Sequence, residues 1–482
     1  MSGVARKDMA PDEAQRRASH PETSVWVSAN AGSGKTHALT TRVARLLLAG
    51  TEPERILCLT FTKAAAAEMS ARLYKRLGGW ATMADAELAP AIADIGGKKP
   101  GAGELATARR LFARAVETPG GLKIQTIHAF CERLLGRFPL EADVPPQFEI
   151  LDERRAQELI AEVRDAVLRR ASEAPETPIG LSLAHVVSRV DELTFGKLLT
   201  EVIGQRGNFV KMRERFGGLE GICAAIRVAL SVEAGATSDV LLAEIAAIAE
   251  EDMRQAATVL MEGTKTDAER AAALHAFLAA PERIDAVDDY IGVFLTKEMT
   301  PRKTVITKKL GEENPQIAHA LEKEQERVLH LVSRLKAVRV AEATEAVVTI
   351  AVTILDTFEE EKRARALLDY DDLIAKARAL LTRSAMAPWV LYKLDGGIDH
   401  ILVDEAQDTS PEQWDVVARI ADEFLSGHGA REVVRTIFAV GDEKQSIFSF
   451  QGADPTRFDD MKRYFEKQVK GAERRWDYVP LT

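Results

Sequence analysis

The run Ala29-Asn30-Ala31-Gly32-Ser33-Gly34-Lys35-Thr36 is built of small residues and ends in a cation and a hydroxyl. Small residues let backbone N–H groups close around phosphate oxygens, and Gly32 and Gly34 supply the conformational freedom for that turn. Lys35 can reach β- and γ-phosphates as a compact point charge. Thr36 can offer its hydroxyl to Mg²⁺ at a helix N-terminus, where the dipole also favours anions. An apolar run, Ser24 to Val27, precedes the loop, and a helical pattern, Leu39 to Leu48, follows it. Strand, phosphate loop and helix are therefore expected here, with residues 29 to 36 holding ATP. Ala29 stands where such loops usually begin with glycine, and it is still small.

A phosphate loop that hydrolyses its nucleotide needs acids nearby. His400 to Ala406, HILVDEA, has the pattern of a buried strand ending in Asp404-Glu405. Asp404 is the expected Mg²⁺ holder and Glu405 the acceptor of the proton from attacking water. A further strand, Thr436 to Val440, leads through Gly441-Asp442 to Gln445, a neutral donor and acceptor suited to sensing a γ-phosphate or its water. Lys35, Glu405 and Gln445 are thus the catalytic candidates, and Thr36 and Asp404 the metal candidates.

Other strand ends carry groups suited to nucleic acid. Ile56 to Phe61 runs into Thr62-Lys63, placing an aromatic, a hydroxyl and a cation together for a base stack and a phosphate contact. A core Phe beside a solvated Lys explains the same residues. Leu122 to Ile127 alternates as a strand, with Thr126 and His128 at its end, where a structural His is the plain alternative. Phe448 and Phe450 could stack on bases or fill a core.

Among the elements that must position these groups, a polar helix holding Gln15 is expected before Thr23, with a solvated face as its simplest reading. Trp80 to Gly103 has the composition of an irregular surface excursion, and helix resumes from Glu104 to Val116. From about Leu151 to Glu359 apolar residues recur at helical spacing on an Ala-, Glu- and Arg-rich background, which predicts an all-helical insertion. Within it, Phe294 to Lys309 carries Lys297, Arg302, Lys303, Lys308 and Lys309; it is a candidate DNA-backbone contact, although such charge runs commonly form solvated loops. Asp369, Asp371 and Asp372 suit the capping and first turn of a helix better than a metal site. WDYVPLT closes the chain as a strand-like end.

The 482 residues allow roughly three domains. A hydrophobic content of 46% and charged content of 29% fit a soluble globular protein. There is no apolar run long enough to span a bilayer and no apolar leader segment, so no membrane association is expected. Cys58, Cys131 and Cys223 are scattered, without metal or disulfide spacing, which points to the reducing cytoplasm. The net charge of −10 excludes a uniformly basic surface but leaves room for a local basic groove.

In order, ANAGSGKT, LTFTKAAAAEM, IQTIHAFC, VDEAQDTS and VGDEKQSIFSFQGAD resemble motifs I, Ia, Ib, II and III of superfamily 1 helicases of the UvrD, PcrA and RecB kind. Softer features, FEILDERRA, FLTK…PRK…VITKK and the ending of the last motif, resemble the AddA branch, helicase–nuclease subunits of bacterial AddAB complexes. The resemblance implies an α/β, RecA-like P-loop NTPase core, a parallel sheet flanked by helices, with a large inserted all-helical domain. Its parts would be domain 1A in 1–150 and 360–482 and helical domain 1B in 151–359. It implies that Gln15 reads adenine, Lys35 and Thr36 bind phosphates and Mg²⁺, Asp404 holds the metal, Glu405 is the base and Gln445 couples γ-phosphate to DNA. Phe61, Thr62, His128 and Phe450 would line the single-strand path. Phe450 stands where the family often has Trp, keeping a stacking face; Gln451 stands where it often has Arg, removing a cation. The implied activity is ATP-dependent 3′-to-5′ DNA translocation and unwinding at double-strand-break ends, on single-stranded and duplex DNA, with an AddB-like partner. Family members continue into a second RecA-like domain and, in AddA, a nuclease, so the sequence is expected to be an N-terminal portion. A stand-alone UvrD-like helicase, or a nucleotide- and DNA-binding module without efficient turnover, are the competing expectations.

Overall fold

The computed structural model describes residues 11–30, 33–382, 385–395, 397–425, 433–442 and 455–481. The chain forms two compact units, Met1–Glu153 with Lys362–Thr482, and Arg154–Glu361.

The first unit is organised by strands β1 (Ser24–Ala29), β2 (Ile56–Thr60), β3 (Lys123–Thr126), β4 (Glu149–Leu151), β5 (Leu367–Asp369), β6 (His400–Val403), β7 (Thr436–Gly441) and β8 (Trp476–Leu481). Six of them form one sheet in the order β3-β2-β6-β7-β1-β8, and every pairing in it is parallel. The near-continuous apolar runs follow from burial on both faces. On one face Trp26, Leu57, Ile401 and Ile437 pack with Trp414, Phe458 and Phe465, Trp26 stacking on Trp414 at 5.7 Å between centroids. On the other, Val25, Val27, Cys58, Leu402 and Phe438 meet Leu39, Val43 and Leu47 of one helix and Met69 and Leu73 of the next. The strand-like end WDYVPLT supplies β8, the sixth strand, paired along the whole of β1.

Helices α1 (Pro11–Ala18), α2 (Lys35–Leu48), α3 (Lys63–Thr82), α4 (Asp85–Gly96), α5 (Ala102–Glu117) and α6 (Ile127–Arg137) surround the first strands. The stretch Trp80 to Gly103 is therefore not an irregular excursion. It holds the end of α3, all of α4 and the start of α5, with Leu88 and Ile92 buried in the core. Its Gly and Pro content obscured an apolar i, i+4 spacing, and Pro90 lies inside α4. The short parallel pair β4–β5 had no readable signal, having three residues in each strand.

The acids at 369–372 build a helix start. Asp369 Oδ1 accepts from the Asp372 N–H at 2.9 Å, and Asp372 Oδ2 accepts from the Asp369 N–H at 3.0 Å. Buried Lys362 neutralises both, its Nζ 3.0 Å from Asp369 and 2.6 Å from Asp372.

The second unit is helical among its described residues, apart from one isolated bridge between Leu295 and Pro301. Its core gathers Phe277, Tyr290, Phe294, Leu321 and Val328. The basic segment folds as a tight hairpin in which the Thr296 N–H donates to Thr300 O at 2.8 Å. Gln325 Nε2 donates to Phe294 O and Arg302 O, at 2.8 and 3.0 Å, fixing the hairpin base. Among the described residues no helix is long and apolar enough to cross a membrane.

Candidate nucleotide site

Strands β1 and β6 bring their carboxyl ends, and the loops beyond, to one edge of the sheet, where open α/β sheets bind ligands. Gly34 caps α2 with φ 88° and ψ 29°, a left-handed conformation that glycine adopts without a Cβ penalty. Lys35 then opens α2, and its Nζ donates to Glu405 Oε2 at 2.7 Å. Asn30 O accepts from both the N–H and the hydroxyl of Ser33, at 3.2 and 2.7 Å. Ala29 is the buried last residue of β1. Ala31 and Gly32 lie outside the described residues.

Glu405 is a non-glycine residue with φ 47° and ψ 47°. That left-handed conformation costs about 1–2 kcal/mol for an L side chain, and strain of this kind concentrates at functional sites. It falls just after β6, where Asp404 and Glu405 follow the last strand residue, Val403. Asp404 is 8% exposed, and its Oδ1 accepts from the Glu405 N–H at 3.1 Å. Burial, with the Glu405 charge second, pushes the Asp404 carboxyl up to about 6. A divalent cation would favour its ionised form, and oxygen donors such as Asp404 and the Thr36 hydroxyl are those Mg²⁺ prefers. Among the described residues no three His, Cys, Asp or Glu gather to hold an ion. Such a Mg²⁺ would complete its shell with phosphate oxygens and water, as is usual for this ion.

Gln15, on α1, lies against the phosphate loop, its Nε2 donating to Ser33 O at 3.2 Å. A Cβ added at Gly34 would fall 2.9 Å from that nitrogen, so the glycine also allows the close approach. Among the described residues, Gln15 Oε1 is buried without a hydrogen-bond partner, so it is a free acceptor beside the loop.

Two residues of this region carried no sequence-based expectation. Arg42, fully buried on α2, donates to the carbonyls of Ala18, His20 and Thr23 and to Thr436 Oγ1, at 2.6 to 3.2 Å. It fastens the segment after α1 to α2 and β7. Burial lowers its guanidinium to about 9, which leaves it charged at neutral pH. Its one visible signal was a lone cation among the apolar positions Leu39, Val43 and Leu46. The other is Gln407, two residues after Glu405, whose Nε2 donates to Glu405 Oε2 at 2.8 Å.

The residues suited to nucleic acid fall at neighbouring strand ends. Thr62 Oγ1 accepts from the Ala65 N–H at 3.0 Å and caps α3, whose first residue is the exposed Lys63; Phe61 is half-buried just after β2. Thr126 Oγ1 accepts from the Ala129 N–H at 3.2 Å and caps α6, so this buried hydroxyl has a structural duty. His128, in the first turn of α6, meets Tyr370 edge-on at 5.2 Å, and burial lowers its imidazole. Gln445, Phe448, Phe450 and Gln451 lie outside the described residues.

A doubly covered parallel sheet, a phosphate loop opening a helix and paired acids beside its lysine define a P-loop nucleotide-binding core. A family model described as the UvrD/REP helicase N-terminal domain matches residues 11–466, and the chain belongs to that family. It is similar to proteins named as ATP-dependent helicase/nuclease subunits of the AddA type. That of Latilactobacillus sakei is 26% identical over 514 residues, covering 100% of this chain and 54% of the relative. That of Enterococcus faecalis is 28% identical over 477 residues, covering 91% and 34%. That of Desulforudis audaxviator is 27% identical over 507 residues, covering 95% and 37%. The chain thus spans about half the length of the first relative and about a third of the other two.

Proposed function

We propose that this chain is the ATP-hydrolysing motor portion of a 3′-to-5′ DNA helicase and translocase of the AddA helicase/nuclease kind, working at double-strand-break ends in recombinational repair. The observation that carries the proposal is the meeting of Lys35 with Glu405 next to Asp404, at the carboxyl edge of the sheet. The match to the UvrD/REP helicase family and the relatives named as ATP-dependent helicase/nuclease subunits support the helicase reading, and the break-end setting and an AddB-like partner are proposed with it.

In this reading Gln15 accepts from the adenine amino group and the loop 29–36 wraps the phosphates. Lys35 exchanges its bond to Glu405 for β- and γ-phosphate oxygens. That exchange releases the Glu405 carboxylate to take a proton from the attacking water. Thr36 and Asp404 would hold Mg²⁺, which neutralises charge building on the transferring phosphoryl group when bound. Phe61, Thr62, Lys63 and His128 lie along the neighbouring strand ends, where single-stranded DNA would stack and be held by its backbone. The helical unit Arg154–Glu361 would serve as domain 1B, its basic hairpin meeting duplex phosphates. The test is ATP hydrolysis by the complete natural protein with its partner, with and without single-stranded DNA. A rate raised by DNA and lost in Lys35→Ala is expected; a rate indifferent to both overturns the proposal.

A further inference from the structure

Gln407 is 3% exposed, and three of its hydrogen-bonding positions are engaged by groups from two strand ends. Its Oε1 accepts from the Asp442 N–H at 2.9 Å, just beyond β7. Its Nε2 donates to Glu405 Oε2 at 2.8 Å and to Asp408 Oδ2 at 3.1 Å. The partners fix which way the amide faces. A backbone N–H can only donate and an ionised carboxylate can only accept, so the flipped amide would lose all three bonds.

The approach of β7 to this amide is equally constrained. A Cβ at Gly441 would stand 2.5 Å from Gln407 Oε1, 2.8 Å from the Phe458 ring and 3.2 Å from the Gln407 backbone nitrogen. Two of these neighbours belong to Gln407 itself, and the third is a fully buried core ring. Only glycine lets the strand end close on the glutamine.

We infer that Gln407 is a positioning residue for ATP hydrolysis, holding the Glu405 carboxylate in place and tying it to the end of β7. The inference rests on Glu405 being the base. Glu405 accepts on one oxygen from both Lys35 and Gln407. When Lys35 turns to phosphate, the Gln407 bond is the one that persists, and it keeps the carboxylate from relaxing toward solvent, to which the side chain is 35% exposed. Misplacing a catalytic group by about 1 Å can cost on the order of 100-fold in rate. The same amide relays any shift of the β7 end to the carboxylate through a single side chain.

The experiment compares Gln407→Leu, Gln407→Glu and Glu405→Gln in the complete natural protein. It measures kcat with saturating single-stranded DNA, KM for ATP, and the Kd of a fluorescent ATP analogue with Mg²⁺. Gln407→Leu keeps the size and removes the amide; Gln407→Glu keeps an acceptor for the Asp442 N–H and loses the donor to Glu405. Both are expected to lower kcat about 10- to 100-fold while nucleotide Kd stays within about 3-fold. Gly441→Ala, which pushes the amide away without altering it, should lower kcat in the same way. Glu405→Gln separates the two claims. If it retains wild-type turnover, the assignment of the base fails. If it is inactive while both Gln407 variants turn over normally, only the positioning role fails. Loss of nucleotide binding in both Gln407 variants would also overturn the inference, since it marks a residue that merely supports the fold.

Discussion

Lys35 and Glu405 are 370 positions apart in sequence and meet at 2.7 Å, one opening helix α2 and the other just past strand β6. The contact exists because β1 and β6 belong to one parallel sheet and both end at the same edge. Lys35→Met keeps the length of the side chain and removes its charge. It should lower kcat/KM for ATP at least about 100-fold, equivalent to about 2.7 kcal/mol of lost stabilisation of phosphoryl charge. Steady-state hydrolysis measures this directly.

Among the described residues, Gln15 Oε1 is a buried acceptor without a partner, beside the phosphate loop. In the proposed function adenine would present its amino group to this acceptor, whereas guanine would present a carbonyl. Gln15→Ala should therefore raise KM for ATP about 10-fold while leaving KM for GTP nearly unchanged, because a lost hydrogen bond of this kind is worth about 1.4 kcal/mol. Parallel titrations with the two nucleotides check the difference.

His400 gives the core a pH dependence. Burial, aided by the Arg42 charge, lowers its imidazole to about 3, and its Nδ1 lies 2.8 Å from Thr436 Oγ1. The unfolded chain protonates this residue below its ordinary value while the folded chain does not. Its contribution is therefore intact above that value and is lost as pH falls toward about 3. Going from about pH 8 to about pH 5.5 should remove about 1.4 kcal/mol through this residue. Urea unfolding of wild type and His400→Asn at the two pH values should show a smaller loss in the variant.

Arg42 satisfies three carbonyls and the buried Thr436 hydroxyl. Arg42→Leu leaves those acceptors without their donor and should destabilise the protein by about 3 kcal/mol. It should also raise KM for ATP, since the helix bearing Gln15 loses its tie to α2. Thermal unfolding and nucleotide titration check the two effects.

What the sequence made legible follows from period and position. Among the six strands of the main sheet, runs such as ILCLT and HILV are near-continuously apolar, which signals burial on both faces. Lys35, Thr36, Asp404 and Glu405 stand out as candidates because each type stands at a strand end or loop where its chemistry has a use, and the structure brings Lys35 to Glu405. The helix Asp85–Gly96 was hidden because Gly and Pro near it are local breakers that tertiary packing of Leu88 and Ile92 overrides. Arg42 and Gln407 were hidden for another reason. A buried polar side chain is recognised by the partners it satisfies, and those partners, Thr23, Thr436 and Asp442, come from segments no local spacing connects.

The most direct test of the account is the rate of ATP hydrolysis by the complete natural protein carrying Glu405→Gln, measured with single-stranded DNA present. Nucleotide binding should remain near wild type while turnover falls about 100- to 10,000-fold, because in the proposed mechanism the lost group takes the proton of the attacking water. Wild-type turnover in that variant would contradict the assignment of a hydrolytic centre to the meeting point of Lys35, Asp404 and Glu405.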